Sequence, residues 1–156
     1  MPATSPFEAH DAFERVGDDE FAVTDSDFEA RVHVDEGERR VVVDVPTLDA
    51  VVVGEDVGDA LQAGWRDTLE RRLEHPTGVT RGPNPELADV TLAGETVSVW
   101  MTHSGGLSPA EDARAVVTFV EGTWFEGIVP GYDYREDVAA MRNRAHEAGG
   151  GEPTPL

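Results

Sequence analysis

The stretch FEARVHVDEGERRVVVDV, residues 28–45, decides the fold class. Apolar and polar residues alternate from its first position. Phe28, Ala30, Val32 and Val34 fall on one face of a strand, and Glu29, Arg31, His33 and Asp35 on the other. Asp35, Glu36, Gly37 and Glu38 supply turn chemistry, with a glycine for positive φ. Residues 40–45 return as a second strand, Val41, Val43 and Val45 inward and Arg40, Val42 and Asp44 outward. Residues 21–24, ahead of an Asp25-Ser26-Asp27 turn, complete an antiparallel β-meander.

Before the meander, Ser5, Pro6 and Glu8 form a capping-box pattern. Phe7, Ala9, Ala12, Phe13 and Val16 then predict a first helix, ended by Gly17, Asp18, Asp19 and Glu20. After the meander, Val51, Val52 and Val53 read as either a brief strand or a packed loop. A helix is predicted from near Asp56, with Val57, Leu61, Trp65, Leu69 and Leu73 at four-residue spacing and Asp67 and Arg71 at ion-pair spacing. Residues 76–85, rich in proline and glycine, read as a mobile loop.

A hairpin follows, residues 87–92 and 96–102, turning at Ala93, Gly94 and Glu95. Ser108, Pro109 and Glu111 repeat the capping box and open a helix carrying Ala113, Val116, Val117, Val120 and Trp124. A last helix over residues 135–147 shows Val138, Ala139 and Met141 on its apolar side. Residues 1–148 therefore form a single α+β domain of order α-βββ-α-ββ-α-α. Its antiparallel five-stranded sheet has helices mainly on one face, and 149–156 read as a disordered tail. The element order resembles that of type III secretion chaperones and related small bacterial domains. That resemblance implies a helix-covered sheet that binds peptide or pairs with itself.

Charge describes the medium. Asp and Glu number 32 against 12 Arg, lysine is absent, and the formal net charge is -20. Such a chain repels itself in dilute buffer. The screening length falls from roughly 10 Å at 0.1 M salt to about 3 Å at 1 M, so brine removes most of the penalty. Arginine in place of lysine suits carboxylate-rich surroundings, although one Ile against 21 Val shows a codon bias that favours Arg as well. A hydrophobic fraction of 39% in regular periods argues for a folded body. The composition resembles that of cytosolic proteins from extremely halophilic archaea. Asp11-Ala12-Phe13-Glu14-Arg15 and Gly122-Thr123-Trp124-Phe125-Glu126-Gly127 resemble a haloarchaeal domain family without assigned function, which implies no activity.

Several function classes are disfavoured. There is no cysteine for disulfides, thiolate metal sites or thiol nucleophiles. No basic footprint for nucleic acid, no secretory signal and no membrane-length apolar run is visible, so a cytoplasmic location is expected. A phosphate loop ending in lysine is impossible, and no cofactor motif is present. Asp18-Asp19-Glu20 and Asp35-Glu36 are expected to associate weakly with K+ or Na+ rather than to form a metal site. The histidines, His10, His33, His75, His103 and His146, lack ligand spacing and read as scattered over the surface.

Two groups of residues remain. His103 and Ser104, at a strand end before Gly105 and Gly106, suggest a small hydrolase or ligand-binding enzyme using a nearby carboxylate, against the plainer reading of a loop. Trp100 stands opposite Val97, Val99 and Met101, on the face expected to hold Val42 and His33. Tyr132, Asp133 and Tyr134 form an aromatic loop. The second group favours a non-enzymatic protein-binding, adaptor or chaperone-like module, with a protein partner or self-association through these residues.

Overall fold

The computed structural model describes residues 3–76, 78–80, 83–128 and 132–148. Its elements are α1 (Ser5–Glu8), β1 (Phe13–Arg15), β2 (Glu20–Val23), β3 (Glu29–Val34), β4 (Glu38–Pro46), α2 (Leu48–Val51), β5 (Val52–Val53) and α3 (Asp59–Leu73). Then follow β6 (Glu86–Ala93), β7 (Thr96–Ser104), α4 (Pro109–Glu126), β8 (Asp133–Tyr134) and α5 (Glu136–Ala148). The mixed α+β class and the antiparallel pairing are as expected, but the main sheet has six strands, ordered β1-β2-β3-β4-β7-β6. β5 and β8 form a separate two-stranded ribbon.

The extra strand comes from the expected first helix, which stops at Glu8. Gly17 and the two aspartates after it form a turn instead, and Phe13 pairs with Val23 and Arg15 with Phe21. Phe7 packs against Phe13 and Phe21 at centroid distances of 5.0 and 5.5 Å. Burying three rings together outweighs about two more turns of a short helix. Ala9 and Val16, expected on the helix's apolar side, are exposed. The N-cap position is Thr4, not Ser5, and the Ser108 side chain makes no cap bond at the start of α4.

The meander and hairpin form with shifted ends: Phe28 lies just ahead of β3 and packs on Trp124 at 4.8 Å, Glu38 of the expected turn opens β4, and β7 runs on to Ser104. Val41, Val43 and Val45 align with Met101, Val99 and Val97 across β4 and β7, and all six are fully buried. The ambiguous valines divide. Val51 ends α2, while Val52 and Val53 pair with Tyr134 and Asp133.

α3 starts three residues later than expected because the Asp49 carboxylate accepts the Val57 amide at 2.8 Å and Gly58 is extended. Trp65, Leu69 and Leu73 are buried, but Leu61 is exposed. Four-residue steps overrun the 3.6-residue turn, which puts Leu61 roughly 120° around the helix from Leu73. Asp67 and Arg71 meet at 3.5 Å. In α5, Val138 and Met141 are buried and Ala139 is exposed. The tail 149–156 and part of the 76–85 loop lie outside the described residues. No helix is long and apolar enough to cross a membrane among the described residues.

One core cluster joins the inward strand residues to Phe7 of α1, Leu48 and Val51 of α2, Trp65 of α3, Trp124 of α4 and Val138 of α5. All five helices thus pack on one side of the main sheet. Val42 and Trp100 are outside that cluster.

Candidate functional site

Extending the alternation of β4 and β7 by one residue brings Arg39 and His103 to the inner face, where they pair across the strands. They are only 5% and 4% exposed. Arg39 Nη2 donates to His103 Nδ1 at 3.0 Å and to the Gly105 carbonyl at 2.8 Å. Guanidinium only donates, so Nδ1 must accept and the imidazole is neutral with its proton on Nε2. Burial, and then the Arg39 charge, lower the His103 pKa to about 4. Burial also lowers that of Arg39, opposed by the charge of the buried Asp112 on α4.

Gly105 and Gly106 follow at φ +65° and +79°, a conformation that favours glycine. The glycines therefore turn the Gly105 carbonyl back onto the guanidinium. Arg39 Nε and His103 Nε2 have no hydrogen-bond partner among the described residues. His103 is thus a buried histidine, contrary to the expectation of scattered surface ones, whereas His33 is exposed on the polar face of β3.

Ser104 is exposed and, as the next residue on β7, points to the opposite side of the sheet from His103. The two do not converge on a common reacting atom. A nearby cleft of about 360 Å³ is lined by Val79, Thr80, Ser108, Glu111, Asp112 and Ala115, and neither His103 nor Ser104 reaches its wall. Another, of about 640 Å³, opens between α3 and α4 with Arg71, Arg72 and His75 on one wall and Phe119, Thr123 and Glu126 on the other. No group of three or more His, Asp or Glu side chains gathers as metal ligands among the described residues.

The other face of the sheet carries the second candidate site. Strand register sets Arg31, Val42, Trp100 and Asp89 side by side across β3, β4, β7 and β6. One step along the strands, His33, Arg40, Thr102 and Glu86 form a parallel row. Trp100 is 37% exposed, whereas Val42 beside it is only 7% exposed. His33 is one row away and on the same face, so these three expected site residues do come together.

Tyr132, Asp133 and Tyr134 do not join them. Both tyrosines are half-buried, meet edge to face at 6.5 Å and pack against the core cluster on the helix side. Asp133 and Tyr134 pair with β5, and Arg135 N donates to the Val51 carbonyl at 2.8 Å. This segment closes the β5–β8 ribbon.

Arg39 and Asp112 were missed by sequence reading. The signal for Arg39 was the valine alternation itself, continued one step back from Val41. Asp112 lies in the first turn of α4, where an acidic residue is unremarkable, and only tertiary packing buries it.

A family of unknown function, DUF5813, matches residues 8–144, and the chain belongs to that family. No curated protein and no solved structure matches the chain significantly.

Proposed function

We propose that this DUF5813 member is a non-enzymatic protein-binding module, adaptor- or chaperone-like, of a salt-rich cytoplasm, and that it docks protein on the outer face of its sheet around Trp100. One observation carries the reading: all five described helices contribute to a single core on the inner face, leaving a tryptophan 37% exposed on the other, on β7 beside the edge strand β6. A large amphipathic ring beside Val42, with Arg31, Asp89, Arg40 and Thr102 around them, is the composition of an interface centre with a polar rim. The hydrolase alternative has less support, because His103 is held neutral against Arg39 and Ser104 lies across the sheet from it.

The test is capture of partner protein on the immobilised chain in molar KCl, comparing wild type with Trp100→Ala and Tyr132→Ala. Trp100→Ala is expected to lose the captured protein and Tyr132→Ala to keep it, provided both melt cooperatively. Capture that is indifferent to Trp100→Ala refutes the docking face.

A further inference from the structure

We propose that the occupant of the outer face is a second copy of this chain, packed face to face about a two-fold axis running along the strands between β4 and β7. This rests on the docking reading above and adds the identity of the partner. Such an axis lays β4 of one copy over β7 of the other and β3 over β6. In a two-fold interface every contact occurs twice with the roles exchanged. A row of residues must therefore be complementary to its own reverse.

The central row meets that condition. It reads Arg31, Val42, Trp100, Asp89, which is cation, apolar, apolar, anion. Reversed onto itself, it sets Arg31 against Asp89 of the second copy and Val42 against the second copy's Trp100. Arg31 already donates to Glu20 at 3.3 Å, and the guanidinium fork has further donors for a second carboxylate.

The neighbouring row sets His33 against Glu86 and Arg40 against Thr102. The row on the other side sets Glu29 against Thr91, a hydroxyl that donates to a carboxylate, and Asp44 against Ser98, whose hydroxyl already donates to Asp44 of its own chain at 2.7 Å. No like charges oppose each other in any of the three.

The competing in-plane axis, perpendicular to the strands, would put Arg31 on Arg31 and Asp89 on Asp89. Juxtaposed like charges disfavour that arrangement and select the first. Packed sheets cross at about 30°, so the match is tightest near the axis, where Val42 and Trp100 lie. Long-range repulsion between two such acidic copies is screened in brine, the same condition that favours the fold.

The experiment is sedimentation velocity of the full chain over a concentration series in molar KCl, read together with acrylamide quenching of tryptophan fluorescence. Trp65 and Trp124 are buried, so Trp100 dominates the quenching. The expected result is a dimer whose quenching falls as protein concentration rises. Trp100→Ala abolishes the dimer. Arg31→Asp and Asp89→Arg each weaken it by roughly tenfold, and the double variant returns to within about threefold of wild type.

A monomeric wild type overturns the inference. So does a dimer indifferent to Trp100→Ala, or a double variant no better than the singles. A monomer that still loses captured protein on Trp100→Ala overturns the second copy alone and leaves the docking face standing. If Trp100→Ala fails to melt cooperatively, the charge exchange, made away from the core, decides the matter.

Discussion

His103 lies 3.0 Å from a guanidinium, and burial holds its pKa at about 4 in the folded chain. The unfolded chain takes up that proton near 6.5. Above pH 6.5 both states are neutral at this position and stability does not change with pH. Between 6.5 and 4 only the unfolded state binds the proton, so stability present at neutral pH is lost as pH falls through this window. The loss amounts to on the order of 3 kcal/mol if the site behaves alone.

His103→Gln keeps an acceptor for Arg39 and removes the titration. Urea denaturation from pH 7 to pH 4 should accordingly show a flatter decline for the variant than for wild type. Equal slopes would show that His103 does not titrate across this window. The buried role of this residue was legible in principle, since Val97, Val99, Met101 and His103 share one alternation. The expected strand ended at Thr102, one residue short of His103, whereas β7 runs to Ser104.

Among the elements, β1 shows how local propensity yields to packing. Residues 5–16 have a capping-box pattern and apolar spacing suited to a helix, yet only Ser5–Glu8 are helical. Three rings, Phe7, Phe13 and Phe21, form a buried cluster that can exist only if residues 13–15 lie beside β2. Phe7→Ala removes the central ring of that cluster. It should lower unfolding free energy by about 3–5 kcal/mol in chemical denaturation, the usual cost of truncating a buried phenylalanine. It should also raise amide exchange at Thr24, whose N–H donates to the Ala12 carbonyl at 2.8 Å. A loss below 1 kcal/mol would mean that β1 is held by its hairpin bonds alone.

The hairpin of β6 and β7 and the meander were readable because a period of two survives any tertiary context that leaves one face buried. The ends of α3 were not. Its start depends on Asp49, a residue outside the helix, taking the Val57 amide.

For the whole molecule the governing quantity is the formal net charge of -20. The described ion pairs are exposed or half-exposed, such as Arg135 with Asp137 at 2.9 Å and Arg31 with Glu20 at 3.3 Å. Such pairs stabilise little individually. They leave most carboxylates without a counter-charge, since the chain has 32 acidic residues and only 12 arginines. Unfolding spreads this charge apart, so screening stabilises the compact state more than the open one. The melting temperature should rise steeply from low to molar KCl, and far less with KCl added beyond molar, where the screening length is already about 3 Å. A melt that is flat across the series would show that self-repulsion is not what limits this fold.

The sequence by itself determined the acidic surface, the antiparallel meander and hairpin, and which valines face the core, because each follows from composition or from a short repeating period. Only the tertiary structure decided that a sixth strand joins the sheet, that Arg39 and His103 are buried partners, that the Tyr132 segment closes a ribbon, and that Trp100 stands on the face opposite the described helices. Those outcomes depend on which distant segments meet, and the contact between Phe7 and Phe21 or between Arg39 and His103 leaves no periodic trace in the chain.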